Sequence, residues 1–194
     1  MGRPQIFAEE QVIDKALKIF WSKGYEGVST KDLISAMGLS NGSFFNCFGN
    51  KKTIYLKTLQ RYNALHITAL EDMLTKEMPF KPKIKNVLME VVKDGHDGKP
   101  NVGCFFFNTS LEVGIDDEEI LQLASQIHKR IENSFLAAVA MAIKNGEISK
   151  TTDSLQLAQY LYNILNGLRV LLIQAPSKKA AQNIITATLA FLPA

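Results

Sequence analysis

Residues 29–52 read STKDLISAMGLSNGSFFNCFGNKK, and they contain the start and stop signals of two short helices. Ser29-Thr30-Lys31-Asp32 fits a capping box, in which a hydroxyl at the N-cap is followed by a carboxylate three residues later, and Gly38 then ends a short helix. Ser40 caps a further short helix that extends to about Cys47, where Gly49-Asn50 interrupts it. Two short helices joined by a tight turn with a glycine predict a helix-turn-helix at about 29–48.

Apolar residues recur at helical spacing along almost the whole chain. A first helix is predicted at about 8–23, and a long fourth helix is predicted to begin at Lys51-Lys52 and to run to about Glu77. The later helices are predicted at about 83–94, 102–113, 118–145, 153–174 and 177–192. No alternating strand pattern competes with them, so the sequence predicts an all-α protein.

The helix predicted at 40–47 has a composition that suits contact with DNA. Its polar residues are short and contribute little to burial: Ser40, Asn41, Gly42, Ser43 and Asn46. Phe44 and Phe48, four positions apart, supply apolar anchors. Such a helix can lie close to base edges and phosphates, and the alternative is an ordinary polar surface helix.

Positive charge is concentrated near the N-terminus. Residues 1–62 contain nine Lys/Arg and five Asp/Glu, a net charge of +4, whereas the remainder contains 13 basic and 14 acidic residues, a net charge of −1. This pattern indicates a polyanion-binding segment, although solvated faces often carry as much charge. Lys51 and Lys52 oppose the macrodipole in the first turn of their predicted helix, which indicates an external phosphate; the alternative is two solvated lysines.

Thr30-Lys31-Asp32-Leu33 and the run from Gly38 to Lys52 resemble the signature of the TetR family of transcriptional regulators, with Gly2-Arg3-Pro4 and Gly24-Tyr25 in register. The match covers about the first 60 residues closely and, in helix number and placement, the whole chain. The resemblance implies an all-α fold. A three-helix DNA-binding domain, residues 1–62, would be joined by the long fourth helix to a larger helical effector-binding and dimerisation domain, residues 63–194.

The resemblance also implies which residues contact DNA. Thr30 and Lys51 would touch phosphates, Ser40–Asn46 would form the recognition helix, and Arg3 would reach an adjacent groove or the backbone. The predicted DNA-binding residues are Arg3, Thr30, Lys31, Ser40, Asn41, Gly42, Ser43, Phe44, Phe45, Asn46, Lys51 and Lys52.

Two positions depart from the family pattern. Phe45 stands where the family usually has tyrosine, and Cys47 where it often has histidine or tyrosine, so two polar contacts to the DNA backbone are absent or changed. Asn41, Asn46 and Lys52 are the residues expected to replace them. The departures leave open an alternative function, a helical ligand- or protein-binding module with a weakened DNA-binding head.

The two helices predicted at 153–174 and 177–192 are apolar nearly all round. A helix with more apolar faces than one core can bury needs a second partner, and a copy across a two-fold axis supplies one, with Gly167 permitting close approach. The alternative is a monomer with both helices in its core. The family pairs its last two helices in a dimer, which implies an inverted-repeat DNA operator. The predicted interface residues are Leu161, Ile164, Leu168, Leu171, Leu172, Ile184, Thr188 and Phe191.

The resemblance implies a small-molecule effector, which in the family enters a pocket between the middle helices and moves the DNA-binding heads away from operator spacing. Aromatic area with a few polar groups suits such a cavity, although each residue also has a structural interpretation. The predicted lining residues are Phe105, Asn108, Glu112, His128, Tyr162 and Asn166. Cys104 is either a thiol sensor or a buried structural cysteine.

Other classes of protein lack their motifs in this sequence. There is no G-x-S-x-G elbow, phosphate-binding glycine loop or H-E-x-x-H, and the three histidines are scattered, so an enzyme, a metal site or a resident cofactor is not expected. Two separated cysteines favour a reducing cytoplasm, and neither a signal peptide nor a membrane span is predicted. The sequence therefore predicts a homodimeric repressor that binds a palindromic operator and that an inducer releases.

Overall fold

The structure is a computed structural model that describes residues 9–94, 103–113, 117–174 and 177–192. Every regular element in these ranges is helical, which confirms the all-α prediction. The helices are α1 (Glu9–Lys23), α2 (Thr30–Met37), α3 (Asn41–Phe48), α4 (Lys51–Tyr62), α5 (Thr68–Thr75), α6 (Phe80–Asp94), α7 (Phe105–Glu112), α8 (Glu118–Lys144), α9 (Ser154–Ile173) and α10 (Lys178–Phe191). A π-helical turn, Asn63–Ile67, connects α4 to α5.

The chain forms two compact units. The described residues up to His66, together with Phe105–Ala124, make the first unit. The described residues of Ile67–Cys104 and Ser125–Ala194 make the second. The first unit therefore contains the predicted helix-turn-helix and also α7, which is about 60 residues further along the chain.

The core of the first unit is built around the apolar face of α1. Its buried positions recur at helical spacing and pack against α2 and α4. Phe20 is fully buried and meets the ring of Tyr55 on α4 edge to face, with the ring centroids 4.9 Å apart. Full burial of such a side chain contributes about 1.5–3 kcal/mol. This packing fixes α1 as the support for the two short helices that follow it.

The helix α7 completes this core. Phe105 is 2% exposed and lies against the rings of Trp21, Tyr55 and Tyr62. The Tyr55 hydroxyl is 2.8 Å from Thr109 Oγ1, and the Thr109 hydroxyl donates to the carbonyl of Phe105 at 2.7 Å. Burial raises the pKa of Tyr55 above its ordinary value. The assignment of Phe105 to an effector pocket is therefore corrected, because its ring lies in the core of the first unit.

The second unit is a helical bundle of α5, α6, α9, α10 and the part of α8 after Ala124. The buried face of α9 repeats at every third or fourth residue, at Ala158, Leu161, Leu165, Leu168 and Leu172. On α10 the buried residues are Ala181, Ile185 and Thr188. None of the helices in the described ranges is long and apolar enough to cross a membrane.

This burial changes which side chains are available for dimerisation. Four residues of the predicted interface lie in the core of the subunit itself: Leu161, Leu168, Leu172 and Thr188. Three more are half-buried: Ile164, Leu171 and Ile184. Phe191, by contrast, is 77% exposed. The four core residues are therefore withdrawn from the interface, because a side chain already packed inside one subunit has no surface for another.

Two helix boundaries differ from the prediction for identifiable reasons. The helix α6 begins at Phe80 rather than at 83, because Pro82 lies in the first turn, where a backbone N–H has no partner inside the helix. The Phe80 N–H instead donates to Glu147 Oε2 at 2.6 Å. The predicted fourth helix is interrupted by the π-helical turn and ends at Thr75, two residues before the predicted end.

Candidate nucleic-acid interface

The start of α2 is fixed by the predicted capping box. Ser29 Oγ accepts from the Asp32 N–H at 3.1 Å, and Asp32 Oδ2 accepts from the Ser29 N–H at 3.0 Å. The hydrogen bonds from the Ser29 hydroxyl and N–H lower the pKa of the Asp32 carboxyl. Thr30 is half-buried and Lys31 is exposed in the same first turn. The box therefore holds two of the predicted DNA-binding residues at a defined helix N-terminus.

The turn between α2 and α3 depends on Gly38. This residue has a φ of 73°, and its N–H donates to the carbonyls of Ile34 and Ser35 at 3.1 and 3.2 Å. Ser40 then caps α3, since its Oγ accepts from the Ser43 N–H at 3.1 Å and lies 2.9 Å from the Ser43 Oγ. The hydroxyls of Ser40 and Ser43 thus take part in the helix cap, which uses one of their two hydroxyl protons.

The helix α3 has one buried and one exposed face. Phe44 and Phe48 are 0% and 5% exposed, whereas Asn41 and Asn46 are exposed and Phe45 is 54% exposed. Phe44 was predicted both as an apolar anchor and as a DNA-binding residue; its complete burial confirms the anchor and corrects the DNA contact. It anchors the helix, while its polar neighbours face outwards.

Gly42 lies on the exposed part of α3, and no contact among the residues that the structure describes explains why it is glycine. A Cβ built there would meet no atom within 4 Å. Glycine inside a helix is less favourable than alanine by about 1 kcal/mol. The exposed backbone at Gly42 therefore leaves room for something outside the chain to approach closely.

Lys51 is held at the beginning of α4. Asn50 caps this helix, with its Oδ1 accepting from the Thr53 N–H at 2.9 Å. The Lys51 Nζ lies 4.1 Å from the centroid of the Tyr25 ring, in cation–π geometry. The ring orients the ammonium group without neutralising its charge.

Lys52 is in a different situation from Lys51. Its Nζ pairs with Asp117 Oδ2 at 2.9 Å and with Glu119 Oε2 at 2.8 Å. The hydrogen bonds from Glu119 and Asp117 raise the pKa of Lys52 to about 12, and the pKa of Asp117 is lowered in turn. The structure therefore corrects the interpretation of Lys52 as a replacement phosphate contact, because two carboxylates of the same unit already compensate its charge.

Glu112 also has a role that differs from the prediction. Its Oε2 accepts from the Tyr25 N–H and its Oε1 from the Glu26 N–H, both at 2.9 Å. Glu112 thus ties the end of α7 to the loop between α1 and α2, instead of lining an effector pocket. No local sequence pattern indicates this contact, since the partners are 86 and 87 residues apart.

Three of the other predicted effector residues do come together, in the second unit. His128 Nδ1 is hydrogen-bonded to the Tyr162 hydroxyl, and Asn166 hydrogen-bonds to the same hydroxyl. Burial raises the pKa of Tyr162 to about 12, while burial and the charge of Arg169 lower the pKa of His128. Asn108 is half-buried on α7 in the first unit, and Arg3 lies outside the described residues.

The second unit also contains a cleft that the sequence analysis missed. Its volume is about 750 Å³, and residues of α5, α6 and α8 line it. None of the six predicted effector residues is among them. The lining residues lie on three helices that are separate in the sequence, so no local pattern could have indicated the cleft.

Comparison with known families identifies the class of protein. Residues 12–58 match the family described as "Bacterial regulatory proteins, tetR family", and residues 81–188 match "Tetracyclin repressor-like, C-terminal domain". The chain belongs to the TetR family of transcriptional regulators. It is accordingly a DNA-binding regulator with a helix-turn-helix domain and a C-terminal helical domain, and not an enzyme.

Individual relatives support the same class. The chain is 25% identical over 193 residues to the "HTH-type transcriptional repressor ComR" of Escherichia coli (strain K12), covering 99% of this chain and 92% of that protein. Its fold matches the TetR family regulator CifR, solved as a cysteine mutant with a 26-bp operator DNA, with a TM-score of 0.88, 24% identity and coverage of 98% and 100%. It also matches FadR from Bacillus subtilis, solved with stearoyl-CoA, with a TM-score of 0.72, 17% identity and coverage of 94% and 98%.

Proposed function

We propose that the chain is a homodimeric repressor that binds an inverted-repeat DNA operator and leaves it when a small-molecule effector binds. The observation that carries this proposal is the amphipathic helix α3. Two buried phenylalanines anchor it, and Asn41, Gly42 and Asn46 lie on its exposed face. DNA binding is assigned to residues 1–62, and effector binding and dimerisation to residues 63–194. ComR is named a repressor and CifR was solved with operator DNA, which supports the same function here.

The exposed groups of the interface fall into those that suit contacts to bases and those that suit contacts to phosphates. Asn41 and Asn46 carry amides that suit base edges, and the bare backbone at Gly42 allows α3 to approach the major groove closely. Thr30, Lys31 and Lys51 supply contacts to phosphates, and Arg3 adds a contact nearby. Base contacts set the sequence preference, while phosphate contacts set affinity and its dependence on salt.

The exposed face of α9 is the proposed dimer surface. Tyr160 and Val170 are 39% and 42% exposed on this helix, and a Cβ built at Gly167 between them would meet no atom within 4 Å. Phe191 of α10, which is 77% exposed, is a further apolar group available for the interface. Pairing of this face with its copy would remove apolar surface from water. A dimer that binds an inverted repeat needs its two recognition helices about one DNA turn, roughly 34 Å, apart.

Release by an effector requires that the ligand bind the DNA-free conformation more tightly than the DNA-bound one. The second unit offers the cleft of about 750 Å³, a volume within the usual range for small-molecule sites. The stearoyl-CoA bound to FadR shows that one protein with this fold holds a small-molecule ligand. A regulator of chromosomal DNA acts where that DNA lies, so the cytoplasm is the proposed location.

The deciding experiment is the selection of bound sequences from a random double-stranded DNA pool at two salt concentrations. We expect an inverted repeat that remains enriched at the higher salt, because base contacts persist when phosphate contacts are screened. Weak binding that salt abolishes, with no consensus sequence, would contradict the proposal. It would favour the alternative, a helical ligand- or protein-binding module with a weakened DNA-binding head.

A further inference from the structure

The cleft in the second unit contains a lysine in an unusual setting. Lys83, on α6, is only 7% exposed and lines the cleft. In the parts of the chain that the structure describes, no carboxylate forms an ion pair with it. Its Nζ is not among the buried side-chain atoms that lack a partner, so the aliphatic part of the residue is buried while the ammonium group reaches the cleft. A cation held in this way on the wall of a cleft can contact a negatively charged ligand.

The charge balance of the lining points in the same direction. Lys129 and Arg130 add two further cations from α8, and Glu71 on α5 is the carboxylate among the lining residues. The Arg130 guanidinium already pairs with Glu71, with Nε donating to Oε1 at 2.6 Å. That pairing leaves Lys83 and Lys129 without a carboxylate partner among the lining residues, so the lining carries a net positive charge.

Four of the lining residues are apolar. Leu74, Ala137, Ala138 and Met141 offer no charge and no side-chain hydrogen bond to a ligand. A ligand that contacts both these residues and a lining cation needs a charged head and an apolar body. The volume of about 750 Å³ accommodates an organic molecule rather than an inorganic ion alone.

We infer that the cleft between α5, α6 and α8 binds an amphipathic organic anion, with its carboxylate, sulfonate or phosphate head on Lys83 and its apolar body along Leu74 and Met141. This inference rests on the proposed effector response for its regulatory meaning, because it names the chemical class of the effector. The binding event itself can be measured without DNA.

The test uses the full-length protein and two anionic probes with different apolar bodies, decanoate and 8-anilinonaphthalene-1-sulfonate. Decan-1-ol serves as the neutral counterpart of decanoate. Binding is measured by calorimetry for the decyl compounds and by fluorescence for the sulfonate. The variant Lys83→Met removes the ammonium and keeps an apolar side chain in a buried position. The matched control is Lys85→Met, which removes the same charge from an exposed position on the same helix.

We expect at least one anionic probe to bind the wild-type protein and to bind Lys83→Met at least tenfold more weakly, because a half-enclosed charge contact is lost. Lys85→Met should bind like the wild-type protein, and decan-1-ol should not distinguish the three proteins. The inference is overturned if neither anion binds in a Lys83-dependent way, or if decan-1-ol binds as tightly as decanoate. Circular dichroism of both variants checks that the fold is retained.

A separate assay measures whether the ligand releases operator DNA from the protein. It distinguishes a failure of this inference from a failure of the proposed function. Lys83-dependent binding that leaves the DNA complex intact would confirm the anion site and contradict its role as effector site. Release of DNA by a ligand whose effect does not depend on Lys83 would support the proposed effector response and contradict the assignment of the effector site to Lys83.

Discussion

The carboxylate of Glu112 occupies the space that a side chain at Gly24 would need. A Cβ built on Gly24 would lie 2.5 Å from Glu112 Oε1, and the φ of Gly24 is +77°. Glycine is thus favoured at this position twice, once by the backbone and once by a residue 88 positions later in the sequence. The helix α7 and the loop after α1 are fitted to each other through this pair.

This relationship predicts an unusually large effect for Gly24→Ala. The left-handed backbone costs about 1–2 kcal/mol with alanine, and displacement of the carboxylate would break hydrogen bonds to the Tyr25 and Glu26 N–H groups worth about 1 kcal/mol each. We expect a loss of about 2–4 kcal/mol in the free energy of unfolding, measured with urea.

Gly146→Ala is the matched control for this experiment. Gly146 has a φ of +76°, but a Cβ there meets no atom within 4 Å, so only the backbone cost applies. In a Glu112→Ala background, the excess loss caused by Gly24→Ala should disappear. Equal losses for the two glycines in the wild-type background would show that the carboxylate moves away at no cost.

The two adjacent lysines at the start of α4 should behave differently on DNA. Lys51→Ala should weaken binding similarly for all sequences and reduce the slope of log affinity against log salt by about one, because one phosphate contact is lost. Lys52→Ala should change both quantities less, because Asp117 and Glu119 already hold that ammonium group. Fluorescence anisotropy at several salt concentrations measures both slopes.

A variant that removes the two carboxylates tests whether they keep Lys52 from contacting DNA. Asp117→Asn combined with Glu119→Gln leaves Lys52 without its two partners, so the salt dependence of DNA binding should become steeper and non-specific affinity should rise. If the slope of this double variant equals that of the wild-type protein, the two carboxylates do not restrain Lys52.

Variants of Gly42 and Asn41 should have different effects on DNA binding, the first on affinity and the second on sequence preference. Gly42→Ala should stabilise α3, since alanine is the better helix former and its Cβ meets no atom within 4 Å, yet it should weaken operator binding by at least tenfold if the backbone faces a base pair closely. Asn41→Ala should instead remove about 1–3 kcal/mol of discrimination between bases at one position of each half-site, so that the selected sequences vary at that position. A Gly42→Ala protein that is more stable and still binds normally would place DNA away from this part of α3.

Gly167 offers a test of the dimer that spares the subunit. Gly167→Glu adds a charge where a single chain has open space, so we expect the fold to be retained. Across a two-fold axis the two carboxylates would repel each other and obstruct close helix packing. Light scattering after size-exclusion chromatography should show a shift from dimer to monomer, with Ala140→Glu on the exposed side of α8 as the control. A dimer that survives Gly167→Glu would move the interface elsewhere.

His128 should make stability depend on pH. Burial and Arg169 lower its pKa in the folded protein, so the unfolded chain binds more protons as the pH falls below the ordinary histidine range near 6.5. Stability from this source is present above that range and is lost as the pH decreases through it. Urea unfolding at pH 7.5 and 5.5 should show the loss, and His128→Asn should reduce it. An identical pH dependence in both proteins would assign the effect to other groups.

The features that could be predicted from sequence are the local ones. The Ser29 capping box, the left-handed Gly38 and the Ser40 cap each depend on residues within a few positions of one another, so a short window of sequence carries the whole signal. The burial of Phe44 and Phe48 also follows from their spacing. Together they suffice to predict the helix-turn-helix.

The features that sequence reasoning missed depend on contacts between distant segments. Glu112 could equally well have lined a pocket, and only the fold brings it to the Tyr25 and Glu26 amides. Lys52 reads as a free cation until Asp117 and Glu119 are placed beside it. The burial of Lys83 in the cleft is likewise a product of packing, because nothing in the sequence distinguishes it from the exposed Lys85.

The π-helical turn at Asn63–Ile67 lengthens the interval between successive buried residues. Along α4 the buried positions follow at three or four residues, but Tyr62 is followed by Ile67, five residues later, and Leu65 between them is 44% exposed. A regular α-helix of this stretch would need one residue fewer to keep both apolar stripes inward. The turn therefore acts as a one-residue insertion absorbed within a helix, which lengthens the interval between two buried side chains to five residues while both stay buried.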